Sequence, residues 1–262
     1  MRRIKTATVL THRRTDETAP ALMMLIEMAR EGGVTLRFDP EETAKHQLPD
    51  DPCVECDVPL GDRVDICFAL GGDGTILSAL RTYAGTGVPV FGINFGEMGF
   101  LATVDREEAW AGTSRALAGD FEVLALPAIE VAGAGTKAVA INDISIHRQP
   151  GKRVADLEYS VGTDEVGRVR CDGLVVSTPA GSTGYNLANG GPVMAWGVHG
   201  YVVSFISPHS LTARTLVVAP ADRLAIDNRS REEPVDVTVD GRPIGELDAG
   251  DRLEARFVMD QG

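Results

Sequence analysis

The sequence lacks the features of a secreted or membrane-spanning protein. None of its 262 residues belongs to an apolar run long enough to cross a bilayer. Arg2 and Arg3 give the N-terminus a basic character, but no apolar signal segment follows them. These absences make the cytoplasm the expected location. Tandem repeats and low-complexity tracts are also missing. Hydrophobic residues make up 44% of the chain, which is enough to bury a sizeable core.

Basic residues are in short supply. The chain has 25 Lys and Arg against 38 Asp and Glu, which gives a formal net charge of −13. A balance of this sign opposes non-specific binding to nucleic acids and to anionic membranes. It does not exclude a nucleotide ligand, because local groups rather than the total charge govern a pocket. We therefore expect no nucleic-acid or membrane partner.

Cysteines are too few for a disulfide framework in a chain of this length. Cys53 and Cys56 have the two-residue gap of half a zinc site, but no second pair follows at a useful spacing. Pro52 and Pro59 predict a loop here. Reduced loop cysteines are the alternative to a metal site, and we predict no protein-bound metal.

The pattern of secondary-structure signals changes part-way along the chain. Strand and helix signals alternate over about the first 110 residues, which predicts a Rossmann-like α/β domain with a parallel sheet over residues 1–118. Short β-rich runs such as Val139–His147 and Tyr201–Ile206 then recur with turns between them and little helical periodicity. This predicts a β-sandwich-like all-β domain over residues 119–262.

A glycine loop follows a strand whose residues are apolar enough to be buried on both faces. Gly71-Gly72-Asp73-Gly74-Thr75 lies between that strand and a helix expected to begin near Ile76, where α/β folds bind ligands. Its glycines allow close approach of a phosphate. A carboxylate repels phosphates, so Asp73 suggests proton abstraction from a hydroxyl or placement of a metal. An ordinary strand–turn–helix junction is the alternative, and neither a Walker loop nor G-x-G-x-x-G occurs here.

Two further polar segments stand out in the second domain. Asn142-Asp143 interrupts a strand pattern, and an amide beside a carboxylate can hold a ribose diol, although a turn pair is the alternative. Residues 170–186 are rich in glycine and small hydroxyl side chains. Within them Arg170 suits a phosphate, Asp172 an amino or amide group, and Tyr185 a flat ring. A Gly/Ser-rich connector is the alternative here.

These segments, with one more, resemble the motifs of the NAD kinase family. The family's marks stand here in order as GGDGT at 71–75, GINFGEMGFL at 92–101, Asn142-Asp143, and DGLVVSTPAGSTGY at 172–185. GGDGT alone is shared with lipid kinases, whereas the set of four is highly specific. The resemblance extends from the N-terminus to about residue 245, so it includes most of the predicted sandwich-like domain.

The resemblance implies transfer of the γ-phosphoryl group of ATP, with Mg²⁺ or another divalent cation, to the 2′-hydroxyl of the adenosine ribose of NAD. Asp73 would be the general base, and homodimers or homotetramers would be the expected assembly. The residues implied for the nucleotide site are Asp73, Gly74, Asn142, Asp143, Arg170, Asp172, Thr183, Gly184, Tyr185, Asn186, Leu187 and Ala188. A second group comprises motif positions and two residues further along the chain: Gly71, Gly72, Thr75, Phe100, Ala180, Ser207 and Arg242.

Four positions depart from the family's usual pattern. Ala180 and Gly184 stand where Thr and Ala are usual, Ser78 where a basic residue is frequent, and Arg242 where Gln is frequent. The competing interpretations are a lipid or small-alcohol kinase that shares GGDGT and a non-catalytic dinucleotide sensor. The sequence leaves open ATP against polyphosphate as donor and NAD against NADH as acceptor. No role is predicted for His147, His199 or His209.

Overall fold

The computed structural model describes residues 3–61, 63–96 and 99–262. The chain forms two compact units, one reaching residue 124 and including Gly262, the other spanning residues 125–261. We refer to them as the α/β unit and the sandwich unit. None of the helices in the described ranges is both long and apolar enough to cross a membrane.

The α/β unit is built on a six-stranded sheet in which every pair of neighbouring strands is parallel. The strands follow the order β3-β2-β1-β4-β5-β6. Their bounds are β1 Thr6–Thr11, β2 Thr35–Arg37, β3 Val54–Glu55, β4 Ile66–Gly71, β5 Val90–Asn94 and β6 Val104–Asp105. Every residue of β4 is buried, as a strand covered by helices on both faces must be. The predicted parallel α/β architecture is confirmed.

Within the described ranges, four α-helices flank this sheet: α1 Thr15–Gly32, α2 Pro40–Lys45, α3 Asp73–Thr82 and α4 Ala109–Leu117, the last preceded by a 3₁₀ turn at Arg106–Glu108. Helix α1 buries Leu22, Leu25, Ile26 and Ala29, the helically spaced stripe that predicted it. It ends where Gly33 adopts a φ of +64°, a left-handed conformation that suits glycine.

Three details of the α/β unit differ from the sequence prediction. Helix α3 begins at Asp73 rather than near Ile76, because the extended backbone of Gly72 ends the strand and starts the helix directly. Cys53–Cys56 was predicted as a loop, but Val54–Glu55 forms the edge strand β3. Helix α2 was not predicted, although Asp39 caps it by accepting the Glu42 N–H at 2.7 Å and Pro40 occupies its first turn.

The sandwich unit consists of two antiparallel six-stranded sheets, ordered β11-β10-β15-β18-β7-β8 and β14-β13-β12-β9-β16-β17. Apolar side chains from both sheets, among them Ile144, Tyr201 and Leu253, form one core. The strands are β7 Ala128–Gly133, β8 Thr136–Ala140, β9 Asp143–Arg148, β10 Ala155–Val161, β11 Asp164–Cys171, β12 Gly173–Ser177, β13 Tyr201–Ile206, β14 Leu216–Val218, β15 Leu224–Asn228, β16 Val235–Val239, β17 Arg242–Leu247 and β18 Arg252–Val258. A 3₁₀ turn, Ala180–Thr183, and the short helix α5, Tyr185–Ala188, follow β12. The predicted β-sandwich is confirmed.

The sandwich unit also corrects the strand prediction. Val139–His147 was predicted as one strand, but β8 ends at Ala140 in one sheet and β9 begins at Asp143 in the other. Strands β7 and β17 were not predicted. Strand β17 forms a hairpin with β16 through Asp240-Gly241, whose φ values of +48° and +73° are those of a two-residue turn.

Candidate active site

The Asp73 carboxylate is oriented by the backbone of the second motif. Asp73 lies in the first turn of α3. Its Oδ2 accepts the Phe100 N–H at 3.0 Å, and its Oδ1 accepts the N–H groups of Phe100 and Leu101 at 3.1 Å each. Glu97 and Met98 of the same motif lie outside the described residues. The GGDGT and GINFGEMGFL segments therefore meet at this carboxylate.

Glycine serves two different purposes in this loop. A Cβ on Gly71 would collide with the Thr75 side chain and would lie 3.2 Å from the Cβ of His12, so packing excludes any larger residue. A Cβ on Gly74 would meet nothing within 4 Å. Gly74 is exposed at the amino end of α3, where backbone amides and the helix dipole favour an anion. The open side of the loop is thus the side suited to phosphate.

Asn94 supports the segment that reaches Asp73, although no separate role was predicted for it. Its buried side chain lies at the end of β5. Its Oδ1 accepts the Gly96 N–H at 2.9 Å, and its Nδ2 donates to Asp105 Oδ1 at 3.2 Å. These two hydrogen bonds hold the beginning of the loop that continues to Phe100. The position of Asn94 between apolar residues of the GINFG run was the sequence feature that could have indicated this role.

A polar face covers the outer side of β9 and β16 in the sandwich unit. Core residues such as Ile144 and Val237 alternate along these strands with polar ones. Ser145 Oγ and Thr238 Oγ1, opposite each other in register, are 2.5 Å apart, and His147 Nε2 lies 2.9 Å from Ser145 Oγ. The residues of this face are Asp143, Ser145, His147, Asp236, Thr238 and, just past the end of β16, Asp240.

Tyr185 stacks on this polar face. Its ring lies against that of His147, with centroids 5.5 Å apart and planes inclined by 17°. Burial lowers the pKa of His147, and the nearby charge of Asp236 opposes that shift. Tyr185, the predicted aromatic residue, is thus positioned by His147, for which no role was predicted. The contact depends on how β12 pairs with β9 and on where α5 then lies, which a local sequence pattern does not show.

One carboxylate holds the backbone of the Asn142-Asp143 segment. Asp240 accepts the N–H groups of Ile141, Asn142 and Asp143 at 3.1, 2.8 and 3.1 Å. These bonds occupy the N–H groups where the chain passes from one sheet to the other. Burial, and secondarily the charge of Asp240, raise the pKa of Asp143 to about 7. Asn142 Oδ1 is buried without a hydrogen-bond partner among the described residues.

The predicted segment after β12 packs directly against Asn142. Thr178 donates its N–H to the Asn142 carbonyl at 2.9 Å and its hydroxyl to the Ile141 carbonyl at 2.6 Å. Gly181 lies so close to the Asn142 carbonyl that a Cβ there would collide with it. The third and fourth motifs, distant in sequence, therefore share one location in the sandwich unit.

Other predicted residues of this segment have varied environments. Asn186 is wholly buried, and its Nδ2 donates to the carbonyls of Ser182 and Pro192, both at 2.9 Å, so its amide holds the loop together. Thr183 Oγ1 donates to the Ala180 carbonyl at 3.4 Å. The exposed positions are Gly184, Leu187 and Ala188.

The remaining predicted positions lie elsewhere on the sandwich unit. Asp172 lies at the opposite end of β12 from Ser177. Its Oδ1 accepts a hydrogen bond from Arg148 Nε at 2.5 Å, and this ion pair was not predicted. Arg170, Ser207 and Arg242 are exposed, and Ser207 has a φ of +45°. A phosphate contact by Arg170 stays a prediction.

Residues 5–121 match the family model of the ATP-NAD kinase N-terminal domain, and residues 141–257 match that of the ATP-NAD kinase C-terminal domain. The NAD kinase of Syntrophotalea carbinolica is 37% identical over 199 residues, 74% of this chain and 70% of that protein. The NAD kinase of Symbiobacterium thermophilum is 40% identical over 188 residues, 70% of this chain and 66% of that protein.

Solved structures show the same fold. The structure of yeast NADH kinase complexed with NADH gives a TM-score of 0.85 at 24% identity and covers 98% of this chain and 81% of its own. The structure of an NAD kinase from Archaeoglobus fulgidus in complex with ATP gives a TM-score of 0.75 at 24% identity. The match covers 96% of this chain and 90% of that one. The chain belongs to the NAD kinase family. The predicted family, fold class and kinase function are confirmed.

Proposed function

We propose that this chain transfers the γ-phosphoryl group of ATP to the 2′-hydroxyl of the adenosine ribose of NAD, with Asp73 as the general base. The orientation of the Asp73 carboxylate by the N–H groups of Phe100 and Leu101 carries this proposal. All three hydrogen bonds come from the backbone, so the carboxylate needs no other side chain to hold it in place. A fixed carboxylate in a phosphate-binding loop suits proton abstraction from an attacking hydroxyl.

The proposed reaction balances simply. The Asp73 carboxylate takes the proton of the 2′-hydroxyl as that oxygen attacks the γ-phosphorus of ATP. The bond between the γ-phosphorus and the bridging oxygen of the β-phosphate breaks, and ADP leaves with the electron pair. The exposed amino end of α3 at Gly74 offers amides to the phosphate oxygens during this transfer.

ATP used by a kinase implies a divalent cation, and we propose Mg²⁺. No cluster of three or more His, Cys, Asp or Glu side chains able to hold a metal occurs among the described residues. A cation bound mainly through phosphate oxygens needs only one or two carboxylates from the protein. When bound, the cation neutralises charge on the phosphates.

The dinucleotide is proposed to bind the sandwich unit. The buried, unpartnered Oδ1 of Asn142 needs a donor, which a polar ligand edge can supply. Asp143 is proposed to accept from ribose hydroxyls, and Tyr185 to lie against a ring. Thr183, Gly184, Leu187 and Ala188 are proposed to line the same site, while Asn186 is proposed to act through the loop it holds. Residues 1–118 would serve phosphoryl transfer and residues 119–262 dinucleotide binding.

A direct assay tests the proposal. The protein is incubated with NAD, ATP and Mg²⁺, and NADP is measured with an NADP-specific dehydrogenase. Parallel reactions with polyphosphate in place of ATP, and with NADH in place of NAD, identify the donor and the acceptor. NADP formation that depends on the protein supports the proposal. Binding of NAD without NADP formation would instead indicate a dinucleotide sensor and contradict the kinase mechanism.

Assembly and location are proposed on the family resemblance alone. We propose a homodimer or homotetramer in the cytoplasm, with no nucleic-acid partner at a net charge of −13. Sedimentation equilibrium of the purified chain measures the assembly, and a monomer at assay concentration would contradict it.

A further inference from the structure

Asp240 occupies an unusual position in the polar face of the sandwich unit. It is the first residue of the two-residue turn between β16 and β17, and its φ of +48° lies in the left-handed region. Asn and Asp tolerate that region better than most residues. Asp240 is 8% exposed, so its carboxylate is largely removed from water. A buried carboxylate is costly unless donors compensate it.

Those donors are three consecutive backbone N–H groups. Asp240 Oδ2 accepts from Ile141, while Oδ1 accepts from Asn142 and Asp143. The backbone N–H of Asp240 donates in return to the Asp143 carbonyl at 2.8 Å. The side chain and the backbone N–H of Asp240 are therefore both hydrogen-bonded to the segment that contains Asn142 and Asp143. This segment lies 97 to 99 positions earlier in the chain.

We infer that Asp240 is a positioning residue for dinucleotide binding: by holding the backbone of residues 141–143 and placing a second carboxylate beside Asp143, it sets the direction and the charge of the ribose-binding pair. The inference rests on the proposed function, because it assumes that Asn142 and Asp143 contact the dinucleotide. Asp240 itself is not proposed to touch the substrate. It acts through the segment it holds.

The electrostatic part follows from which groups surround Asp143. Asp240 of the β16–β17 turn carries the like charge that adds to burial in raising the pKa of Asp143. Tyr185 of α5 is another titratable neighbour, since burial and then the charge of Asp143 raise the pKa of that phenol. His147 lies on the same outer side of β9, beneath Tyr185. Removal of the Asp240 charge should therefore let Asp143 ionise at lower pH.

The substitution Asp240→Asn separates this role from a purely structural one. Asn keeps the left-handed backbone and the Oδ1 acceptor, but it removes the charge and turns one acceptor into a donor facing the Ile141 N–H. Asp227→Asn is the matched control. Asp227 is a similarly buried aspartate, 5% exposed, but it pairs with Arg252 in the opposite sheet.

The experiment measures NAD binding by calorimetry between about pH 5 and about pH 9, with NADP formation by the wild type in parallel. We expect Asp240→Asn to weaken NAD binding at least about tenfold. We also expect the midpoint of its pH dependence, near 7 in the wild type, to move to lower pH because the like charge beside Asp143 is removed. We expect Asp143 to set the wild-type midpoint, because burial and then the charge of Asp240 raise its pKa to about 7. Asp227→Asn should lower stability without moving that midpoint.

A second variant tests which group sets the midpoint. Asp143→Asn should abolish the midpoint near 7, and Asp143→Asn/Asp240→Asn should show no further shift in the pH dependence. An Asp240→Asn protein with wild-type affinity and an unmoved midpoint would overturn the inference while leaving the kinase proposal intact. A wild type that binds NAD but forms no NADP would overturn only the kinase proposal, and one that binds no NAD would overturn both.

Discussion

The ring of Tyr185 lies nearly parallel to that of His147, with 5.5 Å between their centroids. His147 is linked in turn to Ser145 at 2.9 Å, and Ser145 to Thr238 at 2.5 Å. The predicted ligand-stacking residue thus stands on a polar support that spans two strands. Its position depends on groups that the motif itself does not contain.

His147→Ala should raise KM for NAD between about twofold and tenfold, because the loss of one aromatic stack frees the Tyr185 ring. The value of kcat should change less, since Asp73 is untouched. Steady-state kinetics at several NAD concentrations measures both. His147→Phe is the matched variant and should retain most of the affinity because a flat ring remains. Equal KM values for the alanine and phenylalanine variants would contradict this role.

Gly74→Ala and Gly71→Ala should have opposite effects on stability. Alanine at position 74 meets open space within α3, so the free energy of unfolding should stay the same or rise by up to about 1 kcal/mol. Its kcat/KM should nevertheless fall if phosphate approaches this backbone. Alanine at position 71 collides with Thr75 and should destabilise the fold. Urea unfolding measures both, and wild-type kcat/KM in Gly74→Ala would contradict the phosphate contact.

Asp143 should make the stability of the protein depend on pH. Its pKa in the folded chain, about 7, lies above its ordinary value near 3.8. Its protonated form therefore favours the folded state, and that contribution is complete below about pH 4 and lost as the pH rises through about 7. Asp143→Asn should remove the loss, so its stability relative to the wild type should be greater at about pH 8 than at about pH 4. Urea unfolding at the two pH values measures this difference. A difference that is independent of pH would contradict the shifted pKa.

Glu42 should contribute strongly to the stability of the α/β unit. Its side chain is 3% exposed and accepts the Thr11 N–H at 3.0 Å, the Thr11 hydroxyl at 2.6 Å and Lys45 Nζ at 2.8 Å. Glu42→Ala should cost about 3 kcal/mol in the free energy of unfolding, because these buried donors lose their acceptor. Glu41 is the control. It also pairs with Lys45, but it is 77% exposed, so Glu41→Ala should cost less than about 1 kcal/mol. Similar costs for the two variants would contradict the importance of burial.

Local patterns predicted the elements whose residues alternate regularly between core and surface. Helix α1 followed from the spacing of Leu22, Leu25 and Ile26, and the strand Tyr201–Ile206 was predicted with its observed bounds. The motif residues Asp73 and Asn142 were identified because a carboxylate or amide among glycines and apolar residues is chemically conspicuous. Asp240-Gly241 is a typical pair for a hairpin turn, but no hairpin was predicted from it.

The supporting groups of the site could not be predicted in the same way. The hydrogen bonds from Ile141 and Asn142 to Asp240 join parts of the chain about 98 residues apart. The stack of Tyr185 on His147 likewise depends on how α5 packs over β9. A sequence pattern reports the neighbours along the chain, whereas these contacts arise from strand order and register.

Turnover by Asp73→Asn tests the central claim most directly. The amide keeps an oxygen that can accept the N–H groups of Phe100 and Leu101, so the loop and NAD binding should be preserved. An amide cannot act as the base, and the rate of NADP formation at saturating NAD and ATP should fall at least about 100-fold. Wild-type affinity for NAD with that loss of kcat is the predicted result. A variant that forms NADP at close to the wild-type rate would contradict the assignment of Asp73 as the general base.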